Sequence, residues 1–448
     1  MSLSESEARQ IVSALRSGTV PRQGLHHFAT GLDALLETFE EELAETAEGS
    51  GHGRSKWVRG EYGSGKTFAT RLMCARARHK GFATSEVQIS INDTPLCKLE
   101  AVYRRLMERL TTDAHGDAAF KAVVDAWLFE IGEEVTRLEG LAETDPTFPD
   151  AVERRLEDKL HQLDKEASAF ALCLRAYHRA MLAGDFATAQ GLLAWLGGQP
   201  HIDREILSRA HVKGTVDGQA ALSFLRGVLV LLRQSDYRGL VLVLDEVETV
   251  QRMQTQTLRD KSLNVLRQLM DMLQADQLPG LYLLVTGTPE LFDGYKGLRS
   301  TQALYDRVRV RWGADPKFDN LRAVQVRLPP FDPERLLQVG VRVRDIFPAK
   351  HADRVRGKVD DRFLGSLVDR VTTGFGGKVA IAPRYFLREL VDVMDRVDLR
   401  EDFDPLAHYE LKIDEADLTP EEVAAVRGES PAADASGAAP PKRRRLDG

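Results

Sequence analysis

The 448 residues carry a formal net charge of -7, with 43% hydrophobic and 29% charged side chains; such a chain can bury a large core and divide into two or three domains. No apolar run reaches the roughly 18 residues that cross a bilayer. The polar, acidic start, Met1 to Gln10, has no signal-peptide pattern, so a cytoplasmic chain without membrane contact is expected. Cys74, Cys97 and Cys173 have no paired spacing, which argues against a disulfide framework or a structural zinc site, and the mild acidity argues against an all-over nucleic-acid coat.

In chain order, Ile11, Val12 and Leu15 share one face of a first helix that Gly18 to Gly24 ends, and Leu32, Leu35, Leu36 and Phe39 stripe a second. Lys56 to Gly60 reads as a short strand, Phe68 to His79 as a helix stopping before Gly81, Ser85 to Ile91 as an alternating strand, and Leu99 to Leu110 as a helix. Residues 116–215 then change character. Their patterns are helical, as in Ala167 to Met181 and Phe186 to Leu196, with Gly184-Asp185-Phe186 marking a helix hairpin. Ala220 to Gln234 is a strong helix. Leu240 to Leu244 and Leu281 to Val285 are short apolar runs, suited to strands buried on both faces of a parallel sheet, with a helix from Leu258 to Leu273 between them. Val324 to Leu328 is one more strand. Residues 331–400 read as three or four helices, and the last fifty weaken into Pro, Ala, Ser and charge, an expected partly disordered extension.

Helices alternating with parallel strands give an α/β fold. The expected division is an α/β core at 1–115 and 216–330, a helical insertion at 116–215, a helical lid at 331–400 and an extension at 401–448.

The sharpest chemistry lies in Gly60-Glu61-Tyr62-Gly63-Ser64-Gly65-Lys66-Thr67, which fits G-x-x-x-x-G-K-[ST] between a strand and a helix opening at Phe68. Glycines let successive N–H groups turn toward phosphate oxygens. Lys66 adds a mobile charge for the β- and γ-phosphates, Thr67 a hydroxyl for Mg²⁺, and the helix its positive end. The strand Leu240 to Leu244 runs into Asp245 and Glu246. Asp245 would hold Mg²⁺, directly or through water, and Glu246 would act as general base on the attacking water. Glu248 nearby reads as a surface or structural acid. After the strand at Leu281, Thr286 or Thr288 would orient the water or touch the γ-phosphate, or else Gly287-Thr288-Pro289 is a plain turn. Arg307, Arg309 and Arg311 alternate after it, and an arginine set against a neighbour's nucleotide stabilises phosphoryl transfer; each is equally readable as a solvated face. Gly374 to Gly377 lacks the G-K-[ST] ending of a phosphate loop. Arg384 opens a C-terminal helix from which it could reach a γ-phosphate.

In this order the motifs resemble AAA+ ATPases of the origin-recognition branch: Gly60 to Thr67 as Walker A, Leu240 to Glu246 as Walker B, Thr286 to Thr288 as sensor 1 and Arg384 as sensor 2. Val58 to Thr67, Thr84 to Gln88, Thr94-Pro95-Leu96, Leu244 to Glu248 and Pro383 to Arg388 are similar to the ATP-binding proteins of the BREX phage-defence systems. The resemblance spans about residues 5 to 400. It implies a P-loop AAA+ core with a parallel sheet and a helical lid, ATP and Mg²⁺ as cofactors, a helicase-like defence protein as partner and DNA as the ultimate substrate. Origin-recognition relatives carry a winged helix after the lid, for which the residues beyond Arg400 leave little room. DNA contact would then fall to the core, insertion or lid. Residues 321–400 hold 16 Lys+Arg against 11 Asp+Glu, a net of +5, and Lys442 to Arg445 adds a basic cluster. An arginine finger such as Arg307 working in trans would make the active form a homo-oligomer. The expected function is ATP hydrolysis coupled to DNA or a partner. The alternative is a nucleotide-controlled switch whose insertion binds a partner and which does not bind DNA itself.

Overall fold

The computed structural model describes residues 3–47, 52–329, 331–375, 383–411, 418 and 423. Gly376, Gly377, Lys378, Ala382, the basic cluster Lys442 to Arg445 and most of the extension after residue 401 lie outside them. By its contacts the chain forms two compact units, one of residues 32–60 and 66–328, the other of residues 1–31, 61–65 and 329–448.

Helix α1 (Glu5–Arg16) follows the N-cap Ser4, whose hydroxyl accepts from the Glu7 N–H. The larger unit opens with α2 (Asp33–Ala47), then β1 (Arg54–Arg59), α3 (Lys66–His79), β2 (Ala83–Gln88) and α4 (Leu99–Glu108). Strand β2 is shorter than the sequence alternation suggests. Ser90 Oγ accepts from the N–H groups of Asp93 and Thr94, and Thr94 Oγ1 donates to the Gln88 carbonyl at 2.7 Å, so the chain turns away after Gln88.

The helical stretch is α5 (Phe120–Glu139), α6 (Phe148–Leu182), α7 (Phe186–Leu196) and α8 (Arg204–Arg209). At the hairpin Gly184 takes φ 70°, and Asp185 caps α7 by accepting from the Thr188 N–H at 3.1 Å. The helix expected from Ala167 is the second half of α6, whose backbone leaves helical geometry at Ala167 (φ -154°, ψ 75°). The break lies against α9 (Gly218–Gln234), where the Ser223 hydroxyl donates to the Glu166 carbonyl at 2.9 Å. Phe224 of α9 is ringed edge-on by Phe170, Trp195 and Tyr103, at centroid distances of 5.4, 5.3 and 6.0 Å. Residues 116–215, expected as a separate insertion, therefore share one continuous hydrophobic core with the sheet.

The sheet is completed by β3 (Leu240–Asp245), then α10 (Gln256–Gln274), β4 (Leu281–Gly287), α11 (Pro289–Asp293), α12 (Gln302–Val308) and β5 (Gln325–Arg327). Its five strands are all parallel in the order β2-β3-β4-β1-β5. Every residue of β3 and β4 is buried, as their unbroken apolar runs require of central parallel strands. Register aligns Gln88 with Asp245, Leu244 with Val285, and Arg59 with Gly287. All carboxyl ends therefore open on one edge, where α/β sheets bind ligands.

The smaller unit holds α13 (Pro333–Ile346), α14 (Ala352–Lys358), α15 (Asp361–Gly374), α16 (Pro383–Leu399) and the short α17 (Pro405–His408). Helix α1, expected with the core, packs instead on α16: Arg16 makes a two-point ion pair with Asp395 at 2.8 and 2.9 Å. Among the described residues, no helix is long and apolar enough to cross a membrane.

Candidate active site at the carboxyl edge of the sheet

Strand β1 passes into the glycine loop at Gly60, whose N–H donates to the Gly287 carbonyl of neighbouring β4 at 3.1 Å. Gly63 and Gly65 take φ 79° and 86°, the left-handed region that favours glycine, and the Ser64 N–H donates to the Glu61 carbonyl at 3.1 Å. Glu61 is exposed, Tyr62 and Phe68 are half-buried, and the Ser64 hydroxyl is buried without a hydrogen-bond partner among the described residues. Helix α3 starts at Lys66, as a strand–loop–helix phosphate site requires. The Lys66 ammonium is 9% exposed; it donates to the Gly60 carbonyl at 3.0 Å.

Asp245, the last residue of β3, is buried and forms the junction of the site. Its Oδ2 accepts from the Thr67 hydroxyl at 2.8 Å. Its Oδ1 accepts from the Thr286 hydroxyl and, at 3.1 Å, from the Glu246 N–H. The same N–H lies 3.1 Å from Thr286 Oγ1. Glu246 itself sits in the left-handed region at φ 57°, ψ 40°, a conformation that costs a non-glycine residue free energy unless its surroundings hold it. Gln88, aligned with Asp245 from the adjacent strand, donates from Nε2 to Glu246 Oε2 at 2.9 Å.

Glu248 is part of this array; of its two readings, surface or structural acid, the surface one does not hold. It follows Glu246 on a 3₁₀ turn, Val247–Arg252, and is only 13% exposed, with Oε1 3.9 Å from Lys66 Nζ. Burial, helped by the charges of Asp245 and Glu246, raises its carboxyl above the ordinary range, and Lys66 counters only part of that.

Lys66, Thr67, Asp245, Glu246 and Thr286 thus come together, with Gln88 and Glu248 added. Of the two candidate threonines, Thr286 touches Asp245, while Thr288 lies beyond the strand as the residue preceding α11. Arg307 is in the last turn of α12, where it pairs with Asp271 of α10 at 2.6 Å and donates to Gln274 at 3.3 Å. Arg309 pairs with Asp306 at 3.2 Å, and Arg311 is exposed. Arg384 lies in the first turn of α16 within the smaller unit, its stem beside Gly18.

With this constellation established, the family described as "BREX system ATP-binding protein BrxC/D" matches residues 3–413. The chain belongs to that family. BREX ATP-binding proteins act in phage defence, so ATP binding in that setting is the activity that membership gives this chain. A search of curated proteins finds no match. The sequence signals of this BREX family member were strongest where a motif is contiguous. Gln88 and Glu248 carried a weaker one: Gln88 closes a strand whose neighbour only the sheet order reveals, and Glu248 stands three residues past Asp245, within reach through a tight turn.

Proposed function

We propose that the chain is an AAA+ ATPase that hydrolyses ATP held on the loop Gly60 to Thr67 and couples turnover to DNA, together with a helicase-like defence partner. The observation that carries this reading is the hydrogen-bonded run Thr67–Asp245–Thr286–Glu246–Gln88, which starts at the residue after Lys66. A hydroxyl and a carboxylate oxygen 2.8 Å apart are hard oxygen donors of the kind Mg²⁺ takes. Among the described residues no group of three His, Cys, Asp or Glu could hold a metal, which suits an ion completed by phosphates and waters. Thr67 and Asp245 would hold it, and the ion would offset negative charge developing on the transferred phosphoryl.

The chain's own residues supply the rest. Lys66 turns from the Gly60 carbonyl to the phosphates. Glu246 takes the proton of the attacking water on a carboxylate oxygen, once Gln88 no longer directs that group. Thr286 fixes both acids, leaving Thr288 as the further polar group past the strand. By family resemblance Arg384 is assigned the γ-phosphate contact of a lid, and Arg307 the trans contact of a homo-oligomer. Glu246→Gln tests the assignment. It should keep ATP bound in equilibrium measurements while phosphate release stops; undiminished hydrolysis refutes it.

A second reading, a nucleotide-controlled switch that does not bind DNA, is favoured by the α6–α7 hairpin. There Leu182 and Phe186, 76% and 60% exposed, flank the turn as apolar side chains suited to a protein partner.

A further inference from the structure

We propose that Glu248 is a built-in counter-ion that competes with nucleotide phosphates for Lys66, and so sets how tightly the site holds a nucleotide. The inference rests on reading Lys66 as the phosphate-binding lysine.

Lys66 is already engaged. Its ammonium donates to the Gly60 carbonyl at 3.0 Å and stands 3.9 Å from Glu248 Oε1, with both side chains largely buried. The second oxygen, Glu248 Oε2, is buried and has no hydrogen-bond partner among the described residues. A buried carboxylate with an unfilled oxygen is costly, and the positive charge of Lys66, 3.9 Å away, offsets part of that cost. Glu248 has no part in the chemistry assigned above. Thr67 and Asp245 are assigned to the metal, and Glu246 to the water.

When a phosphate arrives, Lys66 exchanges one anion for another. The phosphate gains the ammonium, while Glu248 loses its counter-charge and is left near the incoming negative charge in a poorly solvated place. The exchange weakens binding of any ligand that calls on Lys66, in proportion to the charge it brings to the lysine. AMP, which lacks the β- and γ-phosphates that such a lysine contacts, escapes the penalty. Glu248 is thus a positioning residue that raises the nucleotide concentration at which the site fills.

The test measures ATP, ADP and AMP binding to the full chain by calorimetry, with AMP read by competition, for the wild type, Glu248→Gln, Glu248→Asp and Lys66→Ala. Glu248→Gln should tighten ATP and ADP about tenfold and leave AMP unchanged. Glu248→Asp, which withdraws the charge by one methylene, should tighten ATP by a smaller factor. An unchanged or weakened ATP affinity in Glu248→Gln overturns the proposal, provided Lys66→Ala has lost ATP. If Lys66→Ala binds ATP like the wild type, the reading of Lys66 itself fails. Melting curves without nucleotide report whether Glu248→Gln folds; if it does not, an unaltered ATP affinity in Glu248→Asp overturns the proposal alone.

Discussion

Asp245 accepts three hydrogen bonds, from the Thr67 hydroxyl, the Thr286 hydroxyl and the Glu246 N–H. A carboxylate so filled is fixed in orientation, and through Thr286 it also fixes the left-handed backbone of Glu246. Thr286→Ala removes the shared link. It should lower steady-state ATP turnover by about ten- to a hundredfold, the equivalent of one or two hydrogen bonds to charged groups, with ATP affinity within about twofold. Thr286→Ser should restore most of the rate; an alanine variant with normal turnover would remove Thr286 from the mechanism. Sequence alone left Thr286 and Thr288 open. An apolar run shows that a strand exists without showing where it stops, and β4 continues through Gly287, which keeps Thr286 in the sheet. The glycine loop and the Asp245-Glu246 pair were legible because local backbone chemistry dictates them. Gln88 was not, because its role depends on which strand lies beside β3.

Among elements, α5 and α6 are clamped by Glu134, which accepts from Arg155 at 2.8 Å and Lys159 at 2.6 Å. Burial pushes the Glu134 carboxyl up, but these two hydrogen bonds outweigh it and the net shift is below the ordinary 4.5. A carboxyl depressed on folding stabilises above its unfolded value, and that contribution disappears as pH falls through the folded one. Glu134→Gln should therefore cost about 1 kcal/mol at pH 7 and less at pH 3. Denaturant titrations at both values check the sign; a gap that widens in acid contradicts it. Helix periodicity identified α7 over its full length and the second half of α6. It did not show that α6 runs from Phe148 across Ala167, since the break depends on the Ser223 hydroxyl and on Phe170 packing against Gly227. No run of residues advertises that partner.

At the scale of the whole molecule, α1 and α16 are joined by Arg16 and Asp395, 379 positions apart, so the N-terminal helix belongs with the C-terminal ones. Composition could not foresee this, because an amphipathic helix shows that it has a partner face without naming the partner. The proposed trans role of Arg307 requires it to leave Asp271 and Gln274. Specific ATPase activity should accordingly rise with protein concentration and rise further with DNA at low salt. Arg307→Ala should flatten the concentration dependence without abolishing ATP binding. A rate indifferent to both concentration and DNA would favour the switch reading.

The strand order also bears on how the chain is made. In the sheet β1 and β2 are not neighbours, since β3 and β4 stand between them. The first two strands to leave the ribosome therefore have no pairing edge to offer each other. Gln88 and Glu246 are separated by 158 residues. At about 5–20 residues per second that is a wait of about 8 to 30 s, during which the six helices α4 to α9 emerge before the acid strand. The nascent protein carries its phosphate loop on an unpaired strand throughout, and its ATP site can be assembled only late in synthesis.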